Sequence, residues 1–523
     1  MNRIYIFIFF ILALILRLPA IFFQELPPFQ FCDEDIYSNE VFKMLMENRF
    51  FTQEFRSGGI NIYPAYALGK LFSLFVGRNP YLQELIIITR LFLPGILNAG
   101  TVFILYRIGK ILYKDALRPQ FFLLIGFLVS PMIAGVSRIW YPDHYIIFFS
   151  SLILYNLLDF IVNQDQNKSI YRKIGISLGL IISTKYTGFL MAIPLLIAFI
   201  LNYINTSNIS PNKNLKNFIL RYFQSWITIC LFTLGIILIF QVSAFNDPEG
   251  FIEGFKFNLN NYSRLGSSFN FSGVLFYFVI LFITSLGGIG FLLYLTGGYH
   301  FYKKDRKVFY LLISFPIFII IYLGKVNLVI NRNMILALPF ILPFFATGLE
   351  LLIQRILTFS LYKKITSFVI LAIFFLIDPI YKTIEQLTVD LKTDSRIMAR
   401  QWIEQNLPIT SKVMHNEFCS GESPAKPELY DLIKDQGNLS EPFEFYVYNN
   451  WWDSSIKDYF SKTPLLLEKY YSQLHYLHLN EKSIFTLHKQ SSKIEELRKD
   501  KKLEVVIEFN FAGPQITILK KVK

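Results

Sequence analysis

Hydrophobic runs long enough to cross a bilayer recur along most of the chain, and the polar positions between them are unevenly clustered. A helix rising about 1.5 Å per residue needs about 20 predominantly apolar residues to cross a hydrocarbon core. Segments of this kind fall at 4–23, 85–106, 119–137, 144–161, 174–187, 188–204, 219–241, 273–298, 308–323, 334–352 and 365–380, which predicts about 11 transmembrane helices. The segment at 174–187 is short, and a single fold-back with its neighbour would change the parity. After Tyr381 the apolar runs stop. The pattern therefore predicts a polytopic α-helical membrane domain over 1–380 and a small soluble mixed α/β domain over 381–523. The opening stretch "MNRIYIFIFFILALILRLPAIFF" sets Arg3 before its apolar run and has no small-residue cleavage site after it, the pattern of a retained signal-anchor. Just beyond it, "DEDIYSNEVFKMLMEN" spaces apolar residues at 37, 41, 44 and 45, which predicts a short surface helix.

Composition sharpens the class. The chain has 523 residues, 53% of them hydrophobic and only 17% charged, whereas a soluble domain carries about 25% charged residues. A net charge of +13 would suit a nucleic-acid partner, but in a membrane protein basic residues mainly flank the cytoplasmic ends of spans; no nucleic-acid partner is expected. The three cysteines, Cys32, Cys230 and Cys419, form neither a metal-ligand spacing nor a disulfide framework. Cys230 falls in mid-span and is expected to be a small buried apolar residue.

Loop charge gives the orientation. With the N-terminus inside, "RIGKILYKDALR", "QDQNKSIYRK" and "YKKDRK" lie in cytoplasmic loops, which are denser in Lys and Arg than the loops opposite. Eleven spans then put the C-terminal domain outside, together with "CDEDIY" (32–37) in a first external loop over 24–84, "RIWYPDHY" (138–145), "STKYTG" (183–188), the 242–272 loop and "GKVNLVINRN" (324–333). The polar clusters that are not plain basic anchors thus share one face. The 242–272 loop reads either as a mobile lid or as an ordered scaffold segment.

Several cations sit where the positive-inside rule disfavours them: Arg17, Arg90, Arg138, Lys185 and Arg332. Charge at membrane depth is costly and is a functional hypothesis by default. An anion at the outer headgroup level, such as a lipid phosphate, would account for them. Snorkelling, or pairing with Asp33, Glu34 and Asp143, would account for them too. The carboxylates of "CDEDIY" have two readings as well. One carboxylate, best Asp35, would cap the helix that follows; three in series suggest a general base or a metal ligand. Asp143 and His144 at the mouth of the fourth span read as an interfacial polar pair or as part of a site.

These motifs resemble the multi-spanning glycosyltransferases of the glycosyltransferase C superfamily that use polyprenyl-phosphate sugars. The similarity is to the bacterial protein-mannosyltransferase-like and lipid A aminoarabinose-transferase-like branch. Its D-E-x-x-Y pattern falls on Asp33, Glu34 and Tyr37; an Arg opening the second span matches Arg90; an Asp at the outer end of the fourth span matches Asp143; and "TKYTG" matches Lys185 and Tyr186. "NRNMILALPFILPFFATGLE" resembles the Arg-aromatic stretch of the family, with Arg332 in place and Asn333 where an aromatic is usual. "DSRIMARQWIEQNLPITSKVMHNE" resembles the segment that opens the external domain, with Ser395 in place of Thr.

The resemblance implies an integral-membrane inverting transferase that moves a sugar from a polyprenyl-phosphate carrier to an acceptor hydroxyl on a lipid, glycan or protein outside a bacterial inner membrane. Asp33 would be the general base, with Glu34 orienting it or touching the sugar. Tyr37, Arg90, Arg138, Asp143, His144, Lys185, Tyr186 and Arg332 would bind substrate. No cofactor is implied, and a divalent metal is not favoured although the carboxylates are hard enough ligands.

Two rivals stand beside this. "NNWWDSS" (449–455) is similar to an oligosaccharyltransferase signature, with Ser454 and Ser455 departing from it; a buried aromatic pair is the plainer account of Trp451, Trp452 and Asp453. The other rival is a transporter or flippase of lipid-linked sugar, for which internal repeats and midplane charges would be the signs. The chain has no visible repeat, and its charges gather on one face.

Overall fold

Small residues set how closely the helices pack. In the computed structural model, α9 (Lys168–Thr184) carries Gly175 and Gly179 against α11 (Leu215–Phe240). A Cβ at Gly175 would lie 2.7 Å from the Ile229 carbonyl oxygen, and one at Gly179 would lie 2.6 Å from the Ile236 Cβ. The Thr233 hydroxyl crosses the same seam to the Gly175 carbonyl at 3.1 Å. Helices inside a bilayer gain little from apolar burial and associate through such close backbone approach and interhelical hydrogen bonds. The same device joins α14 (Gly287–Lys304) to α16 (Leu338–Leu357), where Cβ atoms at Gly297 and Gly348 would strike the Phe344 and Leu293 carbonyls.

The described residues are 3–18, 34–55, 58–136, 140–162, 168–207, 215–263, 271–324, 331–358, 380–381, 384, 395–415, 431–434, 444–449, 503–509 and 516–521; Asp35, His144 and Arg332 are among those described in backbone only. The expected eleventh span, 365–380, lies almost wholly outside them. Five helices in this set are long and apolar enough to cross a membrane: Leu82–Tyr113, Tyr186–Ile204, Tyr222–Phe240, Arg306–Gly324 and Asn333–Leu357. Shorter apolar helices lie at Ile4–Ile15, Leu117–Leu128, Ile146–Val162 and Val274–Ile283. The 18-residue apolar window of Asn333–Leu357 is 89% buried, that of Tyr222–Phe240 only 17%. The first is the central helix of the bundle and the second a peripheral one.

Three local expectations change. The segment after the acidic cluster is a helix, α2 (Glu34–Met46), but not a surface one: Glu34, Tyr37, Ser38, Val41, Met44 and Leu45 make a fully buried face at helical spacing. The stretch 273–298 is not one span. It forms α13 (Phe271–Val279) with a π-helical turn over Ile280–Thr284, then breaks at Leu286–Gly287, where Gly287 has φ 79°, before α14 begins. Cys230 is exposed on α11 rather than buried, because α11 turns that side away from the bundle. Another π-helical turn, Leu91–Leu97 around Pro94, follows α4 (Leu82–Arg90) and leads toward α5 (Thr101–Tyr113). Of the 242–272 loop, residues 248–263 form a helix, α12 (Pro248–Ser263), and a Cβ at its Gly254 would lie 2.7 Å from the Phe55 Cβ. That part is ordered scaffold.

The chain divides into two compact units. One comprises Met1–Ile21, Ile36–Val326 and Ile330–Gln386; the other comprises Phe22–Asp35, Asn327–Val329 and Leu387–Lys523. The second contains a five-stranded sheet in the order β2-β1-β3-β5-β4. In it β1 (Lys412–His415) pairs parallel with β2 (Asp431–Lys434) and β3 (Phe445–Asn449), while β5 (Ile516–Lys521) pairs antiparallel with β3 and β4 (Leu503–Phe509). Helix α17 (Ser395–Asn406) packs on β4 and β5, burying Ala399 and Ile403.

Candidate active site

Lys185 is the residue around which the site is built. It follows the last turn of α9 with extended backbone, φ −151° and ψ 134°, and precedes the 3-10 turn Tyr186–Met191. Its side chain is therefore aimed away from the helix axis. The ammonium lies 2.7 Å from Asp143 Oδ1 and 2.9 Å from Asn333 Oδ1. Asp143 belongs to the short 3-10 turn Pro142–His144, ahead of α8 (Ile146–Val162). Asn333 lies in another, Asn331–Ala337, which feeds α16. Three chain segments that are far apart in sequence thus meet in one polar knot.

Both charges are well shielded, with the Lys185 side chain 12% exposed and that of Asp143 2%. A lysine ammonium only donates, so the amide of Asn333 must turn Oδ1 toward it and Nδ2 away. That Nδ2 is buried and has no hydrogen-bond partner among the described residues. The Lys185 ammonium also lies 6.0 Å from the centre of the Tyr141 ring, which lies 6.0 Å from that of Tyr37. A narrow recess opens beside this knot. Asp143, Lys185, Thr187 and Asn333 line its polar side, and Ile319 and Leu323 of α15 (Arg306–Gly324) belong to its apolar wall. The recess thus sets polar groups and an apolar wall side by side.

The other sequence candidates divide as follows. Glu34 and Tyr37 are buried on one face of α2, and Arg90 is buried at the end of α4. Tyr186 donates its hydroxyl to the Phe55 carbonyl at 2.9 Å and sets its ring 5.4 Å from that of Phe255, so it ties down the segment before Gly58. Ser243 accepts from the Thr52 N–H at 2.8 Å and pairs with the Tyr63 hydroxyl, on the same segment. Burial raises the Tyr63 pKa above its ordinary value, so this phenol stays neutral at physiological pH. Arg17 is buried and, among the described residues, bound to neutral partners, the Asn98 side chain at 2.7 Å and the Ala13 carbonyl. Asp33, Arg138 and the Trp451-Trp452-Asp453 stretch lie outside the described residues, as do the side chains of Asp35, His144 and Arg332.

Sequence reasoning noted Asn333 only as a departure from a motif and passed over Asn61, which turns out to be fully buried behind Lys185. The adjacent glycines of "GGIN" were the available sign that backbone approaches closely there: a Cβ at Gly58 would lie 1.7 Å from the Ser183 carbonyl oxygen.

With this geometry in place, comparison with known proteins gives a consistent class. Residues 88–220, which include Arg90, Asp143 and Lys185, match the model of the dolichyl-phosphate-mannose-protein mannosyltransferase family. The structure is similar to that of ArnT from Cupriavidus metallidurans bound to undecaprenyl phosphate, with a TM-score of 0.51 at 12% identity over 98% of each chain. It is also similar to the archaeal oligosaccharyltransferase AglB from Archaeoglobus fulgidus in complex with an inhibitory peptide and a dolichol-phosphate, with a TM-score of 0.52 at 13% identity, covering 87% of this chain and 70% of that one. An Archaeoglobus fulgidus oligosaccharyltransferase in the apo form aligns at a TM-score of 0.49 and 12% identity over 79% of this chain but only 62% of its own length, so the chain spans less than two thirds of that relative. No curated protein matches by sequence. The chain is a multi-pass integral membrane protein with the fold of the glycosyltransferase C superfamily.

Proposed function

We propose that this protein is an inverting glycosyltransferase that moves a sugar from a polyprenyl-phosphate carrier to an acceptor hydroxyl at the extracytoplasmic face of a bacterial inner membrane. The observation that carries this reading is the buried Lys185–Asp143–Asn333 knot beside a recess with one polar and one apolar side. A lipid phosphate has the matching chemistry. The Lys185 ammonium, which donates to Asp143 and Asn333, and the amide N–H of Asn333 are donors of the kind that meet phosphate oxygens. Asp143 keeps the empty site close to neutral and so lowers the cost of holding a cation there.

In the reaction the acceptor oxygen attacks the anomeric carbon while its proton passes to Asp33. The bond from that carbon to the phosphate oxygen breaks, and the electron pair leaves on the phosphate. Lys185, Asn333 and Arg332 stabilise that developing charge. Arg90, Arg138 and His144 belong to the surrounding donor site, and Tyr37 with Tyr141 forms an aromatic floor suited to a sugar ring. No cofactor is required, because the carrier phosphate is itself the leaving group. The acceptor is a lipid, a glycan or a protein. The extracytoplasmic assignment rests on the basic loops.

The test is to weigh the lipid that co-purifies with the wild type and with Lys185→Ala, and to assay transfer by Asp33→Asn. The wild type is expected to carry, or to take up when offered, a polyprenyl phosphate that the lysine variant does not retain. Asp33→Asn should keep the lipid and lose transfer by about 10²–10⁴-fold, the usual worth of a positioned base. Equal binding of added polyprenyl phosphate by wild type and lysine variant would refute the donor site.

A further inference from the structure

We infer that Asn61 is a positioning residue that sets the separation of Lys185 and Asp143, acting through the backbone before the one and the side chain after the other. The inference rests on the donor-site reading above.

Asn61 closes the one-turn 3-10 segment Gly59–Asn61 and is fully buried. Its Nδ2 donates to two carbonyls, Gly58 at 2.9 Å and Thr184 at 2.9 Å. Its Oδ1 accepts from the Tyr145 hydroxyl, and its own backbone carbonyl accepts from Trp140 Nε1 at 2.9 Å. Thr184 immediately precedes Lys185, while Trp140 and Tyr145 stand on either side of Asp143. One residue therefore fastens the chain next to the cation through its side-chain amide, and holds the chain around the anion through that amide at Tyr145 and its backbone carbonyl at Trp140, although cation and anion are 42 residues apart in sequence.

The side-chain type follows from this arrangement. A planar amide offers two donors on one atom and an acceptor on the other. Aspartate would turn lone pairs toward the Gly58 and Thr184 carbonyls, and an apolar residue would leave both unsatisfied. The segment that carries Asn61 cannot retreat either, since Gly58 already lies against the Ser183 carbonyl. Trp140 and Tyr145 are fully buried, so the brackets on the Asp143 side are as fixed as those on the Lys185 side. An ammonium and a carboxylate meant to receive a phosphate need their spacing set before the ligand arrives, because a displacement of about 1 Å in such a site costs about 10²-fold.

The experiment measures undecaprenyl phosphate binding by the full-length protein in lipid nanodiscs, together with its melting temperature. The variants are Asn61→Leu, which removes the amide at similar volume, and Tyr145→Phe, which removes one hydroxyl and leaves the fold its ring. Each is made alone and in a Lys185→Ala background. Binding is expected to weaken by about tenfold or more for Asn61→Leu and by less for Tyr145→Phe, in keeping with lost bonds that orient a charged group. In the Lys185→Ala background, titrated with lipid to concentrations at which its weak residual binding is measured, neither change should weaken binding further. A purely structural role would lower the melting temperature in both backgrounds and leave the affinity of the folded fraction unchanged, and that result, or multiplicative losses with Lys185→Ala, overturns the inference. Failure of the wild type itself to bind undecaprenyl phosphate overturns the donor-site reading and the inference with it, whereas wild-type binding matched by Asn61→Leu overturns the inference alone.

Discussion

Two ion pairs in the helical unit show how differently the same two charges can be used. At one end of α16 the Lys185–Asp143 pair is shielded on both sides, at 12% and 2% exposure. Toward the other end, roughly 18 Å along the helix from Leu338 at the usual rise, Arg118 meets Glu350 at 2.9 Å. There the arginine is 49% exposed, and Gln354 one turn on donates to the same carboxylate at 2.8 Å. Arg118 keeps its charge in contact with solvent and its aliphatic stem on the protein, as long basic side chains do at helix ends. Lys185 has no such outlet. Its charge is held by Asp143 and Asn333 beside a recess, an arrangement that stability alone does not favour, since burying a pair costs about as much as its attraction returns. A solvent-fed pair is an anchor; under the proposed function, a shielded pair facing a recess serves the ligand.

The largest effect expected from this contrast comes from Asp143→Ala, which strands a shielded cation. Loss of about 3–5 kcal/mol is expected, read by denaturation in detergent, along with loss of transfer. The double variant Asp143→Leu with Lys185→Met sharpens the point. Replacing a buried pair by apolar residues of similar volume is often neutral or stabilising by about 1–4 kcal/mol, so the melting temperature should return to the wild-type value or above while polyprenyl phosphate binding stays absent. Recovery of binding along with stability would show that the pair serves only the fold. The smallest effect belongs to Arg118→Ala: at most about 1 kcal/mol, as for other exposed pairs, with transfer unchanged in the same assay. A loss of activity there would erase the distinction between the two ends.

Much of this was legible in the sequence because charge is rare in it. Lys185 and Asp143 interrupt apolar segments, and such interruptions stand out where few residues are polar. The helix after the acidic cluster was visible from its spacing, but its burial was not. Periodicity separates faces only when one of them meets water. In a membrane protein the lipid-facing and protein-facing sides are both apolar, so the pattern does not say which side of α11 carries Cys230 or how deep α2 lies. The break at Gly287 was hidden for a related reason: glycine is common within spans, and only the chain geometry distinguishes a packing glycine such as Gly297 from one at positive φ. Asn61 and Asn333 carry no charge, and their bonds reach across 123 and 148 residues to Thr184 and Lys185, so no local motif announces them.

The π-helical turn after α4 has a consequence for azimuth. Arg90 and Asn98 are both buried, and Asn98 receives the guanidinium of Arg17. Eight positions along an uninterrupted α-helix would set them roughly 80° apart around the axis, at about 100° per residue. A π-helical turn takes up about one extra residue, which leaves the two separated by about 20°. The widened turn at Pro94 thus acts as a rotational offset within a single membrane crossing. It brings two buried polar side chains onto one line, where an unbroken helix would have set them on different flanks of the protein-facing side.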